Sequence, residues 1–262
     1  HGAYRVSSEG GGLLRTTYCT PDFVIGTSMV EARPVQDWAK ISSQNRWEGV
    51  IFGGHRTARI FVQPQQPKDG SFYNASWSVQ HRGVQILQRL KGANAEGQRV
   101  WFDASLHRVE REQWVFVEAP RAYAAVRIVE GGKVWEPDSV EQHRGGGGAT
   151  DGGEWLKCVN EFTPIVLEVV RKCDVGSFEA FQEGILANVL RIEAQRIDYT
   201  SRFHQTSLTL FTDYEQPPLI DGVPVDYAPK QVYDSPFIQS EFGSGVVRIQ
   251  KGNQSVVLDF NE

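Results

Sequence analysis

Apolar and polar residues alternate in short runs along most of this chain, and pairs of turn-forming residues cut the runs apart. Trp47–Phe52 and Ala58–Val62 flank Gly53-Gly54-His55-Arg56, and Ala122–Val129 meets Lys133–Glu136 across Gly131-Gly132. Asp221-Gly222 interrupts Leu219–Val225, and Gly252-Asn253 separates Gly245–Gln250 from Ser255–Phe260. A period of two with β-branched and aromatic enrichment is the pattern of strands, and Asp-Gly or Gly-Gly between two such runs signals a hairpin. Arg99–Asp103, Gln113–Glu118, Trp155–Val159, Phe162–Arg171, Leu190–Tyr199 and Ser207–Asp213 read as further strands. Gly83–Leu90 suits a helical turn and a buried strand equally well. One segment departs from the β pattern. Ser177 is an N-cap residue, Glu179 lies in the first turn, and Phe178, Phe181, Ile185, Leu186 and Val189 follow helical spacing. Gly184 weakens that helix by about 1 kcal/mol without forbidding it. The expected fold is mainly β: a large antiparallel β-sandwich with one or two short helices.

Ser139–Gly153 breaks the strand pattern, with Gln142-His143-Arg144 followed by four glycines. Patterning resumes at Trp155, so 1–262 is expected to be a single β-sandwich domain with a glycine-rich loop at 143–153. The chain starts at His1-Gly2-Ala3 without an initiator methionine, which reads as a C-terminal fragment of something longer. No repeat of fixed period is present, which disfavours a propeller or β-helix.

Charge changes the picture by exclusion. A net charge of −5 and a pI near 5.8, without a basic stripe, argue against nucleic acid as a partner. Apolar runs such as Ile165–Val170 fall far short of the roughly 20 residues of a membrane span. The three cysteines lack CxxC spacing, and Cys158 and Cys173 read better as small hydrophobes than as a disulfide.

The order of segments resembles a known group. Tyr18-Cys19-Thr20-Pro21-Asp22-Phe23-Val24-Ile25-Gly26-Thr27 followed by Trp47-Glu48-Gly49-Val50-Ile51-Phe52 is similar to the start of the β-sandwich that follows an (α/α) toroid in heparinase II/III-like polysaccharide lyases. Asp174–Phe181 and the ending Val256-Val257-Leu258-Asp259-Phe260 continue the likeness, which spans most of the chain as pattern and order. The resemblance implies the sandwich portion of a carbohydrate-active enzyme acting on acidic polysaccharide. It implies a secreted or periplasmic location, a polysaccharide or oligosaccharide ligand, and an upstream helical toroid or partner chain. In those lyases the catalytic tyrosine and histidine lie largely on, or facing, helical elements that this chain lacks. The alternative is a non-catalytic carbohydrate-binding or structural sandwich.

Candidate chemistry is sparse. The six histidines form no HxH, HxxxH or HExxH spacing. No cofactor is expected, although a divalent metal held by residues from distant strands stays open. His55-Arg56 and His81-Arg82 each follow a tryptophan-bearing strand, which would put both dipeptides at one end of the sandwich. An arginine there clamps a uronate carboxylate and an imidazole moves a proton. Tyr18 or Tyr73 would act as acid/base of a β-elimination, with His81 the other catalytic candidate. Arg56, Arg82, His55, Trp47 and Trp77 are the substrate-binding candidates, the indoles as plates for pyranose rings. Trp114 reads as core, Trp38 and Trp135 as exposed. Asp22, Asp103, Glu118, Asp138, Glu168, Asp213 and Asp221 show no pairing of the kind glycoside hydrolysis needs, and GxSxG is absent.

Overall fold

The alternating runs fold as strands. A computed structural model describes residues 2–8, 11–32, 48–64, 76–89, 98–137, 153–160, 162–228 and 230–261, and the described residues are mainly strand with two helices. In chain order the strands begin with β1 (Gly2–Ser8), β2 (Gly11–Cys19), β3 (Phe23–Val30), β4 (Gly49–Phe52), β5 (Arg59–Pro64), β6 (Ser76–His81), β7 (Val84–Arg89) and β8 (Gln98–Phe102). They continue with β9 (His107–Arg111), β10 (Trp114–Glu118), β11 (Ala122–Ile128), β12 (Lys133–Pro137), β13 (Glu154–Cys158) and β14 (Ile165–Arg171). Two helices follow, α1 (Lys172–Val175) and α2 (Phe178–Leu186). Then come β15 (Val189–Glu193), β16 (Arg196–Ser201), β17 (Thr206–Phe211), β18 (Leu219–Ile220) and β19 (Val223–Pro224). The last four are β20 (Gln231–Asp234), β21 (Ile238–Glu241), β22 (Val246–Lys251) and β23 (Gln254–Asp259).

They pair into a 12-stranded sheet (β12-β13-β8-β5-β4-β3-β2-β1-β20-β21-β22-β23), a 6-stranded sheet (β6-β7-β14-β11-β10-β9) and a 5-stranded sheet (β15 to β19 in order), and every pairing is antiparallel. The 6-stranded sheet is the middle layer. Its residues Leu87, Val115, Val117, Ala124, Val126, Ile165, Leu167 and Val169 form one core with Ile25, Val50, Phe52, Ile60, Val100 and Phe102 of the large sheet. Its opposite face, with Ile86, Phe116, Tyr123, Val166 and Val170, forms a second core with Phe181 and Ile185 of α2 and Ile197, Tyr199, Leu208 and Leu210 of the small sheet. Being covered on both faces explains why β14 carries apolar residues on both faces, Ile165 to Val170 with Glu168 as the one interruption, since strict alternation is needed only where one face meets water.

Two expectations change and one open choice is decided. Gly131-Gly132, each at positive φ, does not close a hairpin: β11 pairs with β10 and β14, whereas β12 pairs with β13. The pair carries the chain from the middle sheet to the large one. Leu190–Tyr199 is not one strand but the β15–β16 hairpin, turning at Ala194-Gln195. Gly83–Leu90 resolves as the strand β7, buried between two cores. The helix forms over Phe178–Leu186, with the Ser177 side chain accepting from the Ala180 N–H at 3.1 Å, but Val189, which the spacing also assigns to it, begins β15. All three cysteines are free. Of the glycine-rich stretch 143–153 only Gly153 lies within the described residues; it rests on the Trp101 indole, 2.3 Å from where a Cβ would sit.

The strands β20–β23 extend the large sheet through a single register pair, Gly2 with Tyr233, and expose apolar side chains including Phe237, Val256, Val257 and Phe260.

Candidate ligand-binding cleft

The turns that gather at one end of the layers build the candidate site. The β2–β3 turn is tied down by Thr20, whose Oγ1 accepts from the N–H groups of Asp22 and Phe23. Its Asp22 carbonyl accepts from Gly53 N–H of the β4–β5 turn at 2.7 Å, and its Asp22 carboxylate takes the Arg171 guanidinium at 2.7 Å. Gly54 packs on Pro120 and Arg121 of the β10–β11 turn. Ser105, after β8, lies 3.5 Å from the His55 ring. The β6–β7 turn meets the β16–β17 turn where Arg82 Nη1 donates to the His204 carbonyl at 2.8 Å.

Between these turns lies a cleft of about 220 Å³, lined by Tyr18, Thr20, Phe23, Arg82, Val170, Arg171, Asp174, Val175, Phe203 and His204. The size suits one sugar ring or a small anionic group. Arg171 is already balanced by Asp22 at 2.7 Å and Asp174 at 3.9 Å. Arg82 is exposed and donates to a backbone carbonyl, which leaves its charge available to an incoming anion. Tyr18 packs edge-on to His204, ring centroids 6.4 Å apart.

His204 is the best-determined group in the cleft. Its Nε2 lies 2.8 Å from the Val169 carbonyl oxygen, which can only accept, so Nε2 carries the proton and Nδ1 holds a lone pair. Burial pushes the imidazole down to about 4, with the nearby Arg82 and His81 acting in the same direction against the Val169 hydrogen bond, so the ring is neutral at pH 7. Gly83 makes the arrangement possible: a Cβ there would sit 2.4 Å from both His204 Nε2 and the Val169 oxygen.

Behind His204 lies Glu168, wholly buried on β14 and facing the small sheet. Its carboxyl accepts from Tyr199 Oη (2.5 Å), Ser201 Oγ (2.7 Å) and Asn188 Nδ2 (3.2 Å). Three donors favour the ionised form, but complete burial outweighs them and pushes the carboxyl up to about 7. Ser201 Oγ also accepts from His204 N–H at 3.0 Å.

The residues singled out from sequence divide cleanly. Tyr18 and Arg82 line the cleft. His55 and Arg56 lie exposed on the β4–β5 turn at the same end, but outside the cleft lining; the His55 Nδ1 accepts from Thr57 N–H at 3.3 Å. His81 precedes Arg82 and is half-buried, its imidazole lowered by burial and then by Arg82, against a raising effect of Asp221. Trp77 does not serve as a sugar plate: it is fully buried in the core between the middle and small sheets, and its Nε1 donates to the Phe211 carbonyl at 2.7 Å. Trp114 is core as expected, whereas Trp135 is half-buried rather than free, packed on Phe102 beneath Arg108 and bonded to Glu110. Trp47, Tyr73 and Trp38 lie outside the described residues. Among the described residues no group of three or more His, Cys, Asp or Glu side chains gathers to hold a metal ion, and no helix is long and apolar enough to cross a membrane.

His204 was hidden by sequence distance, since its partners are Gly83 and Val169. Glu168 carried a signal, a single carboxylate inside Ile165-Val166-Leu167-Glu168-Val169-Val170. Compared with known proteins, the chain matches no family model, no curated protein and no solved structure.

Proposed function

We propose that this chain is the β-sandwich portion of a carbohydrate-active enzyme acting on acidic polysaccharide, and that the cleft at the end of the layers receives a uronate. The observation that carries the reading is the convergence of Arg82, Tyr18 and His204 on one cavity of sugar size. Arg82 supplies the charge for a carboxylate through charge-assisted hydrogen bonds, Tyr18 and Phe203 supply ring surface, and His204 supplies a neutral acceptor. On this reading the protein works outside the cytoplasm, on oligosaccharide or polysaccharide, beside an upstream helical domain or partner chain that completes catalysis.

A second reading, a binding module without catalysis of its own, has a specific observation in its favour. An imidazole held near 4 is a weak base at neutral pH, better suited to accept a hydrogen bond than to abstract a proton.

Isothermal titration with oligogalacturonate and with a neutral oligosaccharide of equal length tests the cleft. Arg82→Ala should weaken oligogalacturonate binding about tenfold or more. Equal binding of the neutral sugar, or no change in the variant, overturns the uronate reading.

A further inference from the structure

Glu168 does not line the cleft, yet a continuous line of hydrogen bonds joins it to the cleft wall. The Ser201 hydroxyl has one proton and gives it to Glu168 Oε1, which turns its lone pairs toward the His204 N–H. The His204 carbonyl is held by Arg82 Nη1, and the ring is pinned through Nε2 to Val169, the residue after Glu168 on β14. The histidine is therefore fixed at its backbone nitrogen, its carbonyl and its ring. The first of those fixings depends on where the Ser201 proton points.

We propose that Glu168 is a positioning residue which, through Ser201, holds His204 in the one pose where its Nε2–H meets Val169, so that the cleft presents a neutral acceptor, Nδ1, beside the Arg82 cation. This rests on the uronate reading and sharpens it. A ligand matched to both groups carries an anion and, next to it, a hydroxyl that can donate. Hydroxy-carboxylates of the uronic acid type have that pair; a simple carboxylate satisfies only Arg82, and a neutral sugar only His204.

The charged and titratable groups around the pair are few. Tyr199 touches Glu168, and Arg127 of β11 acts on Tyr199 from across the core. Around His204 stand Arg82, His81 and Asp174, with Tyr18 and Arg171 along the cleft. Arg82 and His81 oppose protonation of His204 and Asp174 favours it. The remaining neighbours of Glu168 on its face of β14, Val166 and Val170, are apolar.

The test reads His204 directly, by ¹⁵N shifts of labelled histidine ring nitrogens across pH 4–8, in the whole chain and in Ser201→Ala, Glu168→Leu and the double variant. The wild type should show a single Nε2–H form that titrates near 4. Ser201→Ala should mix the tautomers and raise the midpoint toward 6.5, and Glu168→Leu should do the same, with the double variant no different from Ser201→Ala alone. A His204 signature unchanged in Ser201→Ala overturns the proposal, and that variant suffices if Glu168→Leu fails to fold. In parallel, D-glucuronate and its 4-O-methyl ether are titrated, and the hydroxyl form should bind about tenfold tighter in the wild type only. Should neither uronate bind while the ring signatures behave as stated, the uronate reading falls and the positioning of His204 stands.

Discussion

Neutralising Glu168 by Glu168→Gln should change how the protein's stability depends on pH, in a direction fixed by the burial of the carboxyl. The group moves from its ordinary 4.5 in the unfolded chain to about 7 when folded. A raised folded value means that the native state holds the proton more tightly, so the associated stability is complete below 4.5 and is lost as pH rises through 7. The shift corresponds to about 3 kcal/mol. His204 acts in the opposite sense: lowered from 6.5 to about 4, it favours the fold above 6.5 and disfavours it as pH falls toward 4. In the wild type the two nearly offset one another between pH 4.5 and 6.5, and a plain pH profile would look flat there. The difference between wild type and Glu168→Gln removes the histidine term, because His204 is common to both. Urea unfolding of the two proteins at pH 5 and at pH 8 should therefore give a stability difference that changes by about 2–3 kcal/mol, with the variant relatively more stable at pH 8. A difference that stays constant from pH 5 to 8 would refute the argument that burial outweighs the three donors around this carboxyl.

Two further outcomes follow from local geometry. Gly83→Ala places a methyl 2.4 Å from His204 Nε2 and from the Val169 oxygen, so it should cost about 1–3 kcal/mol as an overpacked site and, in the histidine ¹⁵N spectrum, free the ring from its single tautomer. Ser177→Ala removes the N-cap acceptor of α2 and should lower stability by about 1 kcal/mol in thermal or urea unfolding, leaving uronate titration curves unchanged.

The pattern of strands was legible because alternation and turn residues are local signals. The Gly53–Ala58 and Gly252-Asn253 turns close hairpins where the sequence places them. What was not legible is which sheet a strand joins. Gly131-Gly132 looks like a hairpin turn, but the apolar face of β12 belongs with β13 and β8, brought together from far along the chain. The candidate site divides the same way. Tyr18 stands near the end of β2 and Arg82 in the β6–β7 turn, both beside turn residues that the sequence marks, whereas Trp77 drew attention by residue type and proved to be core, because an indole hidden between two sheets has the same sequence surroundings as one on the surface. His204 depends on Gly83 lacking a side chain, a condition written more than a hundred residues away from it.

The gathering of turns at one end separates two tasks. The cores lie behind that end, in strands whose partners are fixed by pleat and volume. The cleft is made from Tyr18, Thr20 and Phe23, Arg82, Val170 and Arg171, Asp174 and Val175, and Phe203 and His204, at or beside strand ends. Lengthening or rewriting such a turn alters what the cleft admits while leaving the layers their packing. The same scaffold can therefore be turned toward another ligand by editing a few short connections. The floor of the cleft, supplied by the end of β14, is the one part that any such redesign must keep.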